Sequence, residues 1–149
     1  TQAGVVRMTE RHLHHDPPLP EEVDALRRDA RATFEAGVPE RVRASAEAMI
    51  AVAGTATSMS AIEQRLEPYD PTRVHGSHVT RAQCEAILAR LVAMTDAERR
   101  EVPGLHPDRA PSIITGAAFL VEAMTAFGLG ETEVSEHDIL YGVALDAAR

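Results

Sequence analysis

The strongest constraint on the fold of this chain is a short apolar run that leads through small residues directly into a helical pattern. Residues 48–52 are apolar, which predicts a buried strand. From Thr55 or Thr57 onward, apolar residues recur at helical spacing until Pro68 ends the pattern. A strand that passes straight into a helix, in a chain otherwise rich in helical patterns, predicts a helix-rich α/β fold.

The same strand–turn–helix joint predicts a phosphate-binding site. The first N–H groups of a helix have no partner within the helix, and this end carries about half a positive charge. Gly54 lets backbone amides approach a ligand closely, and Thr55 and Thr57, on either side of Ala56, add hydroxyl groups there. Such a nest can hold a phosphate without a lysine. The structural alternative is that Gly54 permits a tight turn and that Thr55 or Thr57 caps the helix.

Helical patterns occupy most of the remaining sequence. Capping boxes at Thr80–Gln83 and Thr95–Glu98 mark two helix starts, and Gly128 marks the end of the longest helix. Residues 1–8 and 74–79 are expected to be extended, residues 131–135 to form a short strand, and the proline-rich residues 9–20 to form a connection. We therefore predict helices at 20–37, 80–91, 95–102, 108–127 and 138–148.

Arg109 is the arginine whose position best suits an anionic ligand. It follows Pro107 and Asp108 at the start of the longest predicted helix, so its guanidinium is expected near that helix's free amides. A guanidinium matches phosphate oxygens with two parallel hydrogen bonds. The alternative is a surface ion pair with Asp108 or another neighbouring carboxylate. Arg7, at the end of the first extended piece, is a second candidate for the same role.

Other polar clusters do not indicate an active site. His12, His14 and His15, beside Asp16, suggest a metal site, but no cysteine or carboxylate cluster partners them. We therefore interpret this segment as a solvated connection and assign no metal ligand. Cys84 lies on the apolar face of a predicted helix and is expected in the core. Since no spacing suggests a Ser–His–Asp arrangement, no catalytic residue is assigned.

Composition narrows the classes of function. A formal charge of −8 disfavours nonspecific nucleic-acid binding, which requires a basic surface. No apolar run approaches the ~18 residues that a membrane span needs, and no signal-peptide pattern is found. A single cysteine excludes an internal disulfide and fits a reducing compartment, so a cytoplasmic location is expected.

Taken in order, several of these motifs resemble the exopolyphosphatase and guanosine pentaphosphatase (Ppx/GppA) family. The segment at residues 4–10 looks like the last strand of that family's first domain. The resemblance covers nearly the whole chain and is carried further by residues 53–57, 103–105, 108–110 and 134–135.

The resemblance implies the second domain of an actin-like, sugar-kinase-like (ribonuclease H-like) two-domain fold. Residues 1–18 would be the end of the preceding domain and the connection, and residues 19–149 the second domain. The family hydrolyses the terminal phosphoanhydride of polyphosphate, or the 5′ terminal phosphate of pppGpp, with Mg²⁺. Its catalytic acid and first phosphate loop belong to the first domain. The resemblance therefore implies an inactive fragment that carries the second phosphate loop, Gly54 to Thr57, with Arg109 as a polyanion contact.

One stretch of the sequence departs from the family pattern. Where the family usually has a Gly-Leu-Arg-Glu-Gly-like run, residues 138–142 read Asp-Ile-Leu-Tyr-Gly. The missing arginine leaves the preference between polyphosphate and guanosine penta- or tetraphosphate open.

The expected partner is the missing N-terminal domain, with a homodimer as a further expectation. The alternatives are a non-catalytic alarmone-binding or dimerisation module and half of an actin-like kinase.

Overall fold

The computed structural model describes residues 4–147, and most of them are helical. The helices are α1 (Val5–His12), α2 (Pro20–Gly37), α3 (Glu40–Arg43), α4 (Ala53–Gln64), α5 (Pro71–Val74), α6 (Arg81–Val92), α7 (Asp96–Arg100), α8 (Ala110–Ala126) and α9 (Ile139–Ala147), and a 3₁₀ turn at Pro107–Arg109 precedes α8. The strands are β1 (Ile50–Val52), β2 (His78–Thr80) and β3 (Glu131–Ser135). Residues 1–3 and 148, for which extended and helical structure were predicted, lie outside the described part. The predicted helix-rich α/β class is confirmed.

The three strands form one small sheet in the order β1-β3-β2. β1 runs parallel to β3, with Val52 opposite Ser135, and β2 runs antiparallel to β3, with Thr80 opposite Glu131. Because parallel strands end at the same edge of a sheet, the start of α4 after β1 and the residues after β3 lie at one edge. This pairing determines where the candidate site is built.

The core is organised around α8, against which α1, α2, α4 and α6 pack. Its apolar side chains meet those of the neighbouring helices, including Leu26 of α2 and Leu91 of α6, both fully buried. The fully buried Glu122 of α8 forms ion pairs with Arg27 and Arg31 of α2. Since a buried carboxylate is costly unless it is paired, these arginines fix α2 against α8. Cys84 is buried in the core, as predicted.

Several sequence predictions were correct because their signals are local. The predicted helices at 20–37 and 108–127 are observed as α2 and as the 3₁₀ turn with α8, and the strand at 131–135 is β3. Both capping boxes form, at Thr80 and at Thr95. Gly128 has a φ of 69° after the end of α8, as expected for a helix stop.

Other predictions were wrong. Residues 5–8 belong to α1 and are not an extended piece or a strand; Met8 is buried, and the Thr9 hydroxyl donates a hydrogen bond of 2.7 Å to the Thr115 hydroxyl of α8. Within residues 74–79, only the last two are in a strand, because α5 extends to Val74. β1 is not buried: Ile50 is 62% exposed.

The predicted connection at residues 9–20 is shorter, because residues 9–12 belong to α1, and the remaining residues are held to the body and are not simply solvated. Asp16 accepts hydrogen bonds of 2.9 Å from the Asp96 backbone N–H and from the buried guanidinium of Arg99. A boundary at residue 18 therefore stays a prediction, since residues on both sides of it contact the same body.

The last helix and the first strand leave apolar side chains exposed. The described residues of α9 are all exposed, and Ile139 and Leu140 are 80% and 72% exposed. Within residues 4–147, no helix has both the length and the apolar composition needed to cross a lipid bilayer.

Candidate phosphate-binding site

The N-terminal end of α4, residues 53–56, is called the helix mouth below. The helix begins at Ala53, directly after β1, and Ala53 has a φ of 64°, in the left-handed region that residues other than glycine rarely adopt. The cap residue Val52 supplies no side-chain hydrogen bond. Thr57 does not cap the helix either, because its hydroxyl donates back to the Gly54 carbonyl at 3.4 Å. The prediction that a threonine caps this helix was therefore wrong.

The guanidinium of Arg109 lies directly over Gly54. A Cβ atom at position 54 would collide with the guanidinium, so the absence of a side chain here is what admits the arginine. Within residues 4–147, Arg109 forms no ion pair; Asp108, the partner considered from the sequence, lies instead 3.8 Å from the ring of His106. A guanidinium carries only N–H donors, so it cannot accept hydrogen bonds from the helix amides. The Arg109 guanidinium and the N–H groups at the start of α4 therefore lie side by side, and both attract anions.

The other residues of the predicted loop have different surroundings. The Thr55 side chain packs against Gly116 of α8, in the space that a Cβ atom at position 116 would fill. Ala56 is buried and does not line the cleft beside the helix mouth. Thr57 is partly buried and lines this cleft. Gly54, Thr57 and Arg109 are thus brought together, whereas Thr55 is at a helix–helix contact.

This cleft has a volume of about 1040 Å³ and is open to solvent. It lies between Thr57 and Ser58 of α4, the segment that follows α4, Glu136 after β3, and the loop 101–109. The loop is anchored at Gly104, which has a φ of 89° and whose backbone lies against the Ala61 carbonyl of α4. Since this loop leads to Arg109, the same helix supports both the mouth and the wall that carries the arginine.

Tyr69 and Glu136, which the sequence analysis did not select, also line the cleft. The Tyr69 hydroxyl donates a hydrogen bond to the Glu136 carboxylate. Burial, together with this carboxylate, raises the pKa of Tyr69 to about 12, although the Thr57 hydroxyl and the charge of Arg109 act in the opposite direction. Tyr69 therefore stays protonated at neutral pH and is available as a donor. The only sequence signal was position: Tyr69 lies in the segment between α4 and α5, and Glu136 directly follows β3.

Arg7 and the histidines lie elsewhere. Arg7 is exposed on α1 and is not among the residues that line the cleft.

The rings of His12 and His15 are each 2.9 Å from a carboxylate of α2, that of Asp29 and that of Glu22. The hydrogen bond from His15, with others from the Leu19 and His14 backbones, lowers the pKa of Glu22 to about 2. Within the described residues, no three His, Cys, Asp or Glu side chains converge as a metal site would require.

Comparisons with known proteins agree on one family. The sequence model of the Ppx/GppA phosphatase family matches residues 1–148. Exopolyphosphatase 2 of Mycobacterium tuberculosis is 38% identical over 150 residues, which cover 97% of this chain and 47% of that protein. The crystal structure of an exopolyphosphatase-like protein has a TM-score of 0.87 at 32% identity and covers 98% of this chain and 48% of its own.

The crystal structure of the Ppx/GppA phosphatase of Aquifex aeolicus also has a TM-score of 0.87, at 25% identity, with 96% of this chain and 46% of that chain covered. The chain therefore spans about half the length of the curated relatives it matches.

Proposed function

This chain belongs to the Ppx/GppA phosphatase family, and we propose that it supplies the phosphate-binding second domain of an exopolyphosphatase-type phosphohydrolase. The reaction would be hydrolysis of the terminal phosphoanhydride of a polyphosphate chain. The observation that supports this most directly is the guanidinium of Arg109 lying over Gly54 at the helix mouth.

Electrostatics favour an anion at this position. The helix end attracts an anion by about 0.3–1 kcal/mol, and by up to ~2 kcal/mol when partly buried. A hydrogen bond to a charged group contributes about 1.5–3 kcal/mol. The two together give about 2–5 kcal/mol, so binding of an oligophosphate to this chain is expected at millimolar concentrations or above.

Binding of phosphate does not amount to catalysis. Hydrolysis of a phosphoanhydride requires a metal ion to neutralise charge and a positioned water molecule. The described residues contain no group of side chains fit to hold a metal ion, so we derive no step through Mg²⁺ here. We propose that the catalytic acid, the first phosphate loop and the Mg²⁺ site belong to the other domain, that the two domains are arranged as in actin-like enzymes, and that this chain alone is inactive.

The same proposal includes the substrate, the partner that covers the exposed apolar side chains, and the location in the cell. The name of the mycobacterial relative favours polyphosphate, with guanosine penta- or tetraphosphate as the other candidate. The exposed apolar side chains of α9 and β1 are expected to be covered in the whole protein, by the other domain or by a second copy. The proposed location is cytoplasmic.

The test is calorimetry with tripolyphosphate, without added metal, on this chain and on the variant Arg109→Ala. We expect millimolar binding that weakens by about 10-fold or more in the variant. Arg7→Ala is the matched control, because it removes an exposed arginine that does not line the cleft. Equal affinities for all three proteins would refute the proposed site.

A phosphate-release assay tests the other part of the proposal. We expect no release from polyphosphate by this chain with Mg²⁺, and release when the separately produced N-terminal domain is added. Turnover by this chain alone would contradict the assignment of the catalytic groups. Tight binding of pppGpp with no binding of tripolyphosphate would favour the alarmone-binding module.

A further inference from the structure

The hydrogen bond between Tyr69 and Glu136 places a carboxylate where the proposed function requires an anion. Tyr69 follows α4 and Glu136 follows β3, and both side chains line the cleft with Thr57 and Arg109. The charges of Glu136 and Arg109 both influence the ionisation of Tyr69, so the three groups are close neighbours. A negative group at this position competes with any phosphate that enters.

We propose that the Tyr69 hydroxyl donates a hydrogen bond to a bound phosphate, and that it donates to the carboxylate of Glu136 when no ligand is present. A phosphate oxygen that enters the cleft accepts the phenolic hydrogen bond, and the carboxylate of Glu136 moves away. Glu136 thereby lowers the affinity for a single phosphate. A chain of phosphates is favoured, because it can also contact Arg109 and the helix mouth. This inference rests on the proposed function.

The chemistry of the two acceptors supports the exchange. Carboxylate and phosphate oxygens are both anionic acceptors, so the phenol can donate to either one with comparable strength. Beside Glu136 the pKa of Tyr69 is raised to about 12, so the phenol carries its proton at neutral pH and can donate it in a hydrogen bond.

The surroundings limit the movement to side chains. The Tyr69 side chain is 46% exposed, so its hydroxyl can turn without disturbing the core. The backbones on both sides are held: the Asp70 carboxylate accepts from the Thr72 N–H at 2.9 Å, and the Glu136 N–H donates to His75 at 3.3 Å. The exchange therefore requires a change of rotamer at Glu136 and no movement of an element.

Tyrosine fluorescence can report this exchange directly. The chain has no tryptophan and two tyrosines, Tyr69 and Tyr141. The variant Tyr141→Phe keeps an aromatic ring beside His137, with which Tyr141 is stacked, and leaves Tyr69 as the one emitting side chain of the sequence. A hydrogen bond to a carboxylate quenches tyrosine emission, so departure of Glu136 should be visible as a change in intensity.

The experiment is a tripolyphosphate titration of the Tyr141→Phe chain, followed in parallel by calorimetry and by emission. We expect the emission of Tyr69 to change with the same midpoint as the heat. Adding Glu136→Gln should raise the initial emission and strengthen binding by about 3- to 30-fold, the range expected for removing one nearby, partly screened like charge. In that background, Tyr69→Phe should weaken binding by about 10-fold, as loss of a hydrogen bond to an anion predicts.

Glu101→Gln is the matched control. Glu101 lines the same cleft and is not a hydrogen-bond partner of Tyr69, so its variant should leave the initial emission unchanged. Heat of binding without any change in the emission of Tyr69 would overturn this inference and leave the proposed function standing. Absence of binding to both the parent chain and Glu136→Gln would overturn both.

Discussion

Replacing Gly54 by alanine should separate ligand binding from folding. A methyl group at position 54 would occupy the space that the Arg109 guanidinium takes over the helix mouth. The guanidinium is the far end of a flexible, exposed side chain, so it can move into solvent at little cost. We therefore expect the fold to tolerate the change, while the arginine loses its position beside the helix amides.

The two effects have opposite signs. In a helix, alanine is more stable than glycine by about 0.5–1 kcal/mol, which corresponds to a rise in Tm of about 1–4 °C for a chain of this size. Loss of an arginine hydrogen bond to phosphate costs about 1.5–3 kcal/mol, or roughly 10- to 150-fold in affinity. Gly54→Ala should thus unfold at the same or a higher temperature and bind tripolyphosphate at least 10-fold more weakly.

A double-mutant cycle makes the reasoning refutable. If Gly54→Ala acts by displacing Arg109, it should have almost no further effect on affinity in an Arg109→Ala background. Gly142→Ala is the control, since a Cβ atom at position 142 in α9 would contact nothing within 4 Å. Additive losses of affinity from Gly54→Ala and Arg109→Ala, or an unchanged affinity in Gly54→Ala, would show that the guanidinium does not act at this position.

Three further predictions concern stability and are measured by chemical denaturation. Ala53→Gly should raise the free energy of unfolding by about 0.5–1 kcal/mol, because glycine adopts the left-handed φ of 64° without strain; a decrease would contradict this. Gly104→Ala should lower it by about 2 kcal/mol or more, since the new Cβ would meet the Ala61 carbonyl at a φ of 89°; a value within 0.5 kcal/mol of the parent, about the size of a neutral surface change, would exclude the contact. The pKa of Glu22 is lowered to about 2 from 4.5 by His15, so its contribution to stability is present above about pH 4.5 and is lost as the pH falls toward 2; Glu22→Gln should remove that part of the acid dependence, and an unchanged pH profile would refute it.

Local sequence signals were enough to predict the long helices. α2 and α8 follow from apolar spacing, and the starts of α6 and α7 follow from capping boxes at Thr80 and Thr95. In each of these elements the residues that determine the structure lie within a few positions of one another, so the sequence pattern and the folded structure agree.

Predictions failed where distant contacts decide the conformation. Val5 and Val6 are β-branched and favour an extended chain locally, yet they lie in α1, because that helix buries Met8 and bonds Thr9 to α8. The start of α4 at Ala53 depends on a left-handed backbone that no alanine signals.

The candidate site was predictable only in part, for the same reason. The sequence indicated Gly54 and Arg109 separately, each as part of a helix start, but gave no sign that one lies over the other. Tyr69 and Glu136 were missed because the parallel pairing of β1 with β3 brings the end of β3 to the start of α4. The alternative in which Arg109 pairs with Asp108 was wrong, since Asp108 is beside His106.

The contact of Gly104 with α4 has a consequence for how this site could change its ligand. Because α4 holds both the helix amides and the backbone of the loop that leads to Arg109, close backbone packing fixes the position of that loop relative to the amides. A longer or bulkier anion cannot be accommodated by moving this loop away from α4 without loss of that packing. New ligand preferences would have to arise at exposed side chains of the cleft that are free to turn, such as Tyr69.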